Sequence, residues 1–224
     1  MDNKSLFQSV LIKLNDRGVL DEMILIGSWA LLIYRDYFHS DEIPVKRTMD
    51  IDFLLRNPPK ITSEVKVPDL LGELGFDLHT NLTDGFSKFV HPDLEIEFLI
   101  NQKGRGDEKI YNVKRLNITA LPLRYLSLIE DNTIILEYID LKLCVPEPTA
   151  YCLHKYLVSD ERKNPLKKKK DLETANELSI YLMKNASQKL LLKTILFSIH
   201  PKWQKKILSV IAINNKELFE YLTY

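Results

Sequence analysis

Hydrophobic and polar positions divide the chain into two parts with different periodicities. In the first part, short apolar runs at 23–26 and 50–55 are bounded by turn residues, a pattern typical of buried strands. Apolar positions also recur with helical spacing in this part, at 4–17, 29–38 and 68–75. Beyond the prolines at 146 and 148 the spacing is helical throughout, over 149–158, 168–184, 187–198, 201–212 and 215–222. The pattern therefore predicts a strand-containing half followed by an all-helical half.

Further β-like runs complete the first half, at 86–90, 94–100, 110–113, 133–138 and 139–145. Together the runs indicate the α+β fold class. We expect a mixed sheet flanked by helices over residues 1–145, followed by a C-terminal helical domain over residues 146–224.

Charge is distributed unevenly, although the formal net charge is zero. Residues 1–140 carry 16 Lys and Arg against 23 Asp and Glu, whereas residues 141–224 carry 15 against 8. An acidic half suits metal binding, and a basic half suits phosphate or nucleic acid. Simple attraction between the two halves explains the asymmetry equally well, so charge alone does not decide the function.

Composition excludes several classes of protein. No apolar run reaches the roughly 18–20 residues that a transmembrane helix needs, so we expect no membrane partner. Residues 1–8 lack the apolar core of a secretory signal, which predicts a cytoplasmic location. Cys144, Cys152 and the five histidines show no zinc-site spacing, so we expect reduced cysteines and no zinc site.

Asp50 and Asp52 lie two residues apart on a predicted strand, which places both side chains on one face. Two buried carboxylates on one face repel each other unless a cation lies between them. Mg²⁺ suits such a pair because it binds carboxylates and substrate phosphates together, and Mn²⁺ is the alternative. An ordinary solvated sheet face could carry the same Asp-x-Asp pattern, so this pair alone is not specific.

A pair of metal ions usually requires a third carboxylate, and the predicted strand at 94–100 offers Glu95 and Glu97. Glu97 is favoured, because Glu97-Phe98-Leu99 repeats the acidic-apolar-apolar order of Asp52-Phe53-Leu54. Glu95 shares the same face and stays a rival.

Gly27-Ser28 closes the first predicted strand and opens the next predicted helix. The first backbone N–H groups of a helix have no partner within the helix and attract anions. Small residues at this point let a triphosphate approach the backbone closely. A phosphate-binding turn and a carboxylate pair on successive strands form a more specific signal than either feature alone.

These motifs resemble the DNA polymerase beta-like nucleotidyltransferase superfamily, in which a Gly-Ser turn and a helix precede an Asp-x-Asp strand. The form Arg47-Thr48-Met49-Asp50-Ile51-Asp52 is similar to minimal bacterial nucleotidyltransferases, including the toxin-like group paired with abortive-infection antitoxins. The resemblance covers residues 20–145. The chain departs from the most compact members at 38–46, which looks like an insertion between Ser28 and Asp50.

The resemblance implies an NTP substrate, with ATP among the candidates, and Mg²⁺ as the cofactor. It makes Asp50, Asp52 and Glu97 (with Glu95 as the rival) the catalytic metal ligands, and Glu97 could also help to activate the acceptor hydroxyl. The nucleotide-binding residues that it implies in the first half are Gly27, Ser28, Arg47 and Thr48.

Superfamily members commonly carry a helical domain that closes over the nucleotide. Here 162–171 resembles an Arg…Lys-Asp element of the minimal transferases. Lys155 and Lys170 are the nucleotide-binding candidates in this half, because cations suit phosphates. Lys167 and Lys168 lie at a predicted helix start and are explained as well by a solvated face.

The resulting hypothesis is a metal-dependent nucleotidyltransferase that transfers a nucleoside monophosphate to an acceptor hydroxyl by in-line attack. The acceptor stays open between an RNA or tRNA end, a protein hydroxyl and a small molecule such as an aminoglycoside, and the basic half favours RNA or protein. The alternative is a non-catalytic nucleotide-binding or interaction module, as half of a toxin–antitoxin pair with an antitoxin as its partner.

Overall fold

Strands and helices are mixed up to residue 146, and the elements that follow are helices. The computed structural model describes residues 3–45, 48–59, 61, 64–104 and 109–224. Its helices are α1 (Asn3–Asp16), α2 (Ser28–Phe38), α3 (Val67–Gly72), α4 (Ser127–Glu130), α5 (Pro148–Ser159), α6 (Pro165–Lys184), α7 (Ala186–Ser198), α8 (Pro201–Asn214) and α9 (Lys216–Thr223). Its strands are β1 (Met23–Ile26), β2 (Asp50–Leu55), β3 (Asp77–Thr80), β4 (Ser87–Val90), β5 (Glu95–Asn101), β6 (Tyr111–Val113), β7 (Ile118–Leu123), β8 (Thr133–Tyr138) and β9 (Leu141–Pro146).

The larger sheet is mixed, with the order β1-β2-β5-β4-β3. β2 and β5 are parallel along their length, whereas β1 pairs with β2 in the antiparallel sense. On its other side β5 pairs with β4 near its start and with β7 near its end. β8 and β9 form a separate hairpin. The fold is therefore the α+β architecture expected from the sequence.

β2 presents two chemically different faces. Ile51 and Phe53 are fully buried on one face, where the main hydrophobic core lies. The other face carries Asp50 and Asp52 and then Leu54, which is buried as well. The polar face thus becomes apolar halfway along the strand.

Two hydrophobic cores lie on opposite faces of the sheet. The larger core is continuous from α1 through the sheet to α9, so it joins both halves of the chain. The smaller core covers the apolar end of the carboxylate face, and its buried members are Ile24, Ile26, Leu54, Leu99, Leu126 and Ile129. The proposed boundary between two domains at 145 and 146 stays a prediction.

Side chains cap most helices of the second half and fix where they begin. The Asn164 side chain accepts hydrogen bonds from the first backbone N–H groups of α6, and Asn185 and Asn215 do the same for α7 and α9. The Glu147 carboxylate caps α5 in the same way. Pro148, Pro165 and Pro201 occupy first-turn positions, where a missing N–H costs nothing.

Most predicted elements agree with the structure, but the strands β3 and β7 and the short helix α4 were not predicted. β3 is exposed along its whole length and has no apolar face to signal it. β7 alternates buried and half-buried positions, but it contains Pro122, and proline argues against a strand. Within the apparent insertion that follows α2, Ile43 is buried and packs in the main hydrophobic core.

No helix in the described ranges is long and apolar enough to cross a membrane.

Candidate active site

Four carboxylates lie together on one face of two neighbouring strands. Asp50 of β2 is the register partner of Glu95 of β5, and Asp52 is the partner of Glu97. Adjacent strands are about 4.8 Å apart, so each partner pair lies side by side. The sheet therefore concentrates negative charge at the starting ends of β2 and β5.

Lys88 distinguishes the two glutamates of β5. Its ammonium forms an ion pair with the Glu95 carboxylate, and this hydrogen bond contributes most to raising the pKa of Lys88. Within the described residues, no Lys or Arg forms an ion pair with Glu97. Burial, followed by the neighbouring Asp52 charge, raises the pKa of Glu97. Of the two glutamates, Glu97 is therefore the one that has no ion pair with the part of the chain that the structure describes.

The Asp52 carboxylate lies at the junction between the acidic and apolar parts of the face. Burial raises its pKa, and the nearby Asp50 charge adds to this effect. Positive charges on Lys155, Lys170 and Arg162 oppose the rise. These cations belong to the helical half, so the acidic face is opposed by basic helices.

Gly27 connects β1 to α2 and lies against the Asp52 side chain. Its backbone has φ 71° and ψ −160°, a conformation that is essentially restricted to glycine. A Cβ at this position would lie 2.2 Å from Asp52 Oδ2. The Tyr151 hydroxyl of α5 donates a hydrogen bond of 3.0 Å to the Gly27 carbonyl. A side chain at position 27 would therefore both disfavour this backbone conformation and collide with Asp52.

Asp171 holds two cations of the helical half. Its side chain is 6% exposed and accepts hydrogen bonds from Lys155 Nζ at 2.7 Å and from Arg162 Nε at 2.8 Å. Burial opposes ionisation of Asp171, but Lys155 and Arg162 hold its pKa below the usual value. Burial likewise opposes the charge on Lys155, yet Tyr151 and Asp171 keep its pKa raised. One carboxylate thus fixes two cations and leaves a net positive charge.

The family model for nucleotidyltransferases matches residues 6–196. The chain belongs to the nucleotidyltransferase family. This confirms the family resemblance found in the sequence motifs, and it supports transfer of a nucleoside monophosphate in general terms.

Two proteins of known structure are similar to this chain. An antigenic nucleotidyltransferase-like protein from Paracoccidioides brasiliensis matches with a TM-score of 0.54 and 13% identity, over 99% of this chain and 94% of that one. The antibiotic-resistance factor ANT(2'')-Ia matches in its solution structure with a TM-score of 0.47 and 13% identity, over 88% and 94% of the two chains. Its crystal structure in complex with adenylyl-2''-tobramycin matches with a TM-score of 0.47 and 14% identity, over 85% and 95%. No curated protein sequence matches the chain.

The remaining predicted site residues of this nucleotidyltransferase have different surroundings. Thr48 Oγ1 accepts a hydrogen bond from the Asp50 backbone N–H at 3.2 Å, so it stabilises the start of β2. Lys170 is exposed on α6. Ser28 is the first residue of α2, where no hydrogen bond from a side chain caps the helix in the described part of the chain. Arg47 lies outside the described residues.

A divalent cation would find a partial ligand set on the carboxylate face. Among the residues that the structure describes, no three His, Cys, Asp or Glu side chains form a group that could enclose a metal ion. Mg²⁺ in nucleotide enzymes is usually held by one or two carboxylates together with substrate phosphates and water. Asp50, Asp52 and Glu97 are hard oxygen donors, so one or two of them together with substrate phosphates would suit such an open site.

Tyr151 and Asp171 are the site neighbours that the sequence motifs indicated least clearly. Tyr151 is buried, and its hydroxyl donates a hydrogen bond to the Gly27 carbonyl. Its position four residues before Lys155 on α5 was the available signal, since residues four apart share a helix face. Asp171 directly follows a run of four lysines, 167–170. The sequence thus showed its position in the helical half, but not its ion pairs with Lys155 and Arg162.

Proposed function

We propose that this nucleotidyltransferase binds an NTP and Mg²⁺, or Mn²⁺ instead, between the carboxylate face and the basic helices. The acceptor hydroxyl oxygen attacks the α-phosphorus, the bond from that phosphorus to the bridging oxygen breaks, and pyrophosphate leaves. The hydroxyl proton passes to a carboxylate or to water. Catalysis of this kind depends on positioning and charge neutralisation.

The opposition of an acidic sheet face and basic helices carries the proposal. Asp50, Asp52 and Glu97 offer oxygen ligands for the cation, which neutralises the triphosphate charge when it is bound. Lys155 and Arg162 offer positive charge from the other side, already oriented by Asp171. A metal-bound triphosphate needs carboxylates to bind the metal ion and cationic side chains to bind the phosphates.

Phosphate groups are proposed to bind at Gly27 and Ser28. The start of α2 supplies backbone N–H groups to an anion, and Gly27 adds no side chain between the backbone and Asp52. Lys155, Lys170 and Thr48 complete the proposed nucleotide site, together with Arg47.

Glu97 is proposed as the third carboxylate in preference to Glu95. Glu97 is the register partner of Asp52, whereas Glu95 is paired with Lys88. The raised pKa of Glu97 also suits a group that accepts the hydroxyl proton.

Glu97→Gln is expected to reduce kcat about 100-fold or more, whereas Glu95→Gln changes it by only a few-fold. Both substitutions remove one charge from the same strand face, so each serves as the control of the other. Transfer of label from an NTP labelled at the α-phosphate measures the effect. Equal losses in the two variants would assign no special role to Glu97.

An RNA end is the acceptor class that the helical half supports. Lys163, Lys167 and Lys168 are exposed and lie near Arg162 and Lys170 in the sequence. Unlike Arg162, these three lysines form no ion pair with a carboxylate of the described residues. Exposed lysines near a site favour a polyanion, since they can neutralise backbone phosphates. A protein hydroxyl and a small molecule such as an aminoglycoside are the alternative acceptors.

The test uses purified protein with each α-labelled NTP, Mg²⁺ and three separate acceptors: total RNA, RNase-treated lysate protein and an aminoglycoside mixture. Label is expected on RNA with wild type and not with Asp50→Ala/Asp52→Ala. Calorimetric titration with each NTP and Mg²⁺ tests binding independently. Absence of NTP binding would exclude the proposal, whereas NTP binding without transfer to any acceptor would favour the non-catalytic module. An antitoxin partner and a cytoplasmic location stay predictions from the sequence.

A further inference from the structure

The Gly27 carbonyl accepts a hydrogen bond from a residue that is distant in the sequence. Tyr151 lies on α5, 124 residues away, and its hydroxyl donates to this oxygen at 3.0 Å. The Tyr151 ring is 2% exposed and packs edge-on against Tyr34, with ring centroids 6.0 Å apart. The hydroxyl is therefore held by a rigid, buried ring.

The Gly27 backbone needs such a restraint. Glycine populates more backbone conformations than any other residue, and Gly27 has a conformation that other residues rarely adopt. The Gly27 carbonyl and the Ser28 N–H belong to one planar trans peptide unit and point in opposite directions. A bond that fixes the carbonyl therefore also fixes where the Ser28 N–H points, which is away from Tyr151.

Tyr151 is itself connected to the cations of the helical half. Lys155, one helical turn later, lies 5.4 Å from the centre of the Tyr151 ring. Lys155 is in turn bonded to Asp171. A continuous chain of contacts thus runs from Asp171 through Lys155 and Tyr151 to Gly27, which lies against Asp52.

We propose that Tyr151 is a positioning residue that orients the Gly27–Ser28 peptide so that the Ser28 N–H meets the phosphates of the bound NTP. This inference rests on the proposed function. Tyr151 does not touch the reacting atoms: it acts through the peptide that it holds. Because the phosphates are bound before and during transfer, loss of the orientation weakens binding more than it slows the chemical step.

Tyr34→Phe is a matched control for Tyr151→Phe. The Tyr34 ring is also buried, and its hydroxyl also donates to a backbone carbonyl, that of Pro146, at 2.6 Å. Both substitutions remove one phenol–carbonyl hydrogen bond and leave the ring in place. Tyr151 forms its hydrogen bond with the turn before α2, whereas Tyr34 forms its hydrogen bond with the end of β9. The two variants therefore separate positioning of the turn from general stability.

Tyr151→Phe is expected to raise the KM for the NTP about 10-fold, the cost of one weakened hydrogen bond to a charged group, and to change kcat less than about 3-fold. Tyr34→Phe is expected to leave the KM for the NTP within about 2-fold of wild type. Its change in Tm is expected to be similar to that of Tyr151→Phe. Calorimetric titration of the NTP that wild type prefers, with Mg²⁺, gives the same comparison without an acceptor. It is done at a temperature where thermal scans show both variants folded.

Equal NTP affinity in the two variants would overturn the inference, as would a loss in kcat at unchanged KM. These outcomes leave the proposed function intact, because wild type still binds and transfers the nucleotide. A wild type that binds no NTP overturns the proposed function, and this inference with it.

Discussion

Asp52→Asn is expected to reduce nucleotide transfer on the order of 10³-fold while leaving the protein folded and no less stable. The loss in activity follows from the proposed role of Asp52, since removing an essential metal ligand forfeits several kcal/mol of charge stabilisation. Asparagine keeps the shape of the side chain beside Gly27, so the backbone of β1 and β2 need not move.

The stability of this variant follows from the raised pKa of Asp52. Burial makes the ionised carboxylate unfavourable in the folded state. An acid whose pKa is raised by folding stabilises the protein below its unfolded pKa, and this contribution is lost as the pH rises through the folded pKa. At neutral pH the wild-type carboxylate therefore costs stability, which the neutral amide avoids.

Thermal denaturation at pH 7 is expected to give a Tm for Asp52→Asn equal to that of wild type or a few degrees higher. Asp77→Asn is a suitable control, because Asp77 is an exposed aspartate on another strand of the same sheet, and this variant should change neither activity nor Tm. A marked fall in the Tm of Asp52→Asn would show that the Asp52 charge is a structural requirement. Full activity would remove Asp52 from the proposed metal site.

Asp171→Ala is expected to lower the free energy of unfolding by about 3–5 kcal/mol, which corresponds to a fall in Tm on the order of 10 °C. Removal of this carboxylate leaves Lys155 and Arg162 close together without their shared counterion. The Arg162 side chain is 40% exposed, so water screens much of its charge. The Lys155 side chain is only 17% exposed and accounts for most of the expected loss.

The pH dependence of this effect is a second check. The pKa of Asp171 is lowered by Lys155 and Arg162, so its stabilising contribution is present above the unfolded pKa and is lost as the pH falls through the folded pKa. The difference in stability between wild type and Asp171→Ala should therefore be full at pH 7 and should shrink in acid.

Urea denaturation at several pH values measures this difference. Glu173→Ala is the control on the same helix, because Glu173 forms an exposed ion pair with Lys169 and its loss should cost well under about 1 kcal/mol. If Asp171→Ala changes the free energy of unfolding only slightly and equally at every pH, then the ion pairs of Asp171 with Lys155 and Arg162 do not stabilise the fold.

Local patterns in the sequence predicted the elements that carry the proposed site. The run 50–55 was predicted as a strand and is β2, because its apolar residues and flanking prolines are local signals. The placement of Asp50 and Asp52 on one face follows from strand geometry alone. Gly27-Ser28 likewise lies where the strand-to-helix pattern predicted it, between β1 and α2.

Contacts between distant segments could not be predicted in this way. The distinction between Glu95 and Glu97 depends on the register of β2 against β5 and on Lys88 from β4. The bond from Tyr151 to Gly27 and the two bonds to Asp171 join segments whose approach depends on how the helices pack. Local periodicity contains no information about such packing, so the sequence alone does not decide between the two glutamates and gives Tyr151 no role in the site.

The two faces of β2 also restrict how this strand can change in length. Insertion or deletion of a single residue within Asp50–Leu55 would rotate every later side chain to the opposite face. If the change lies between Asp50 and Asp52, the Asp52 side chain would turn towards the hydrophobic core and Phe53 would turn towards the carboxylate face. A change of two residues preserves the alternation, so it keeps the remaining apolar side chains in the core and the remaining polar side chains on the opposite face.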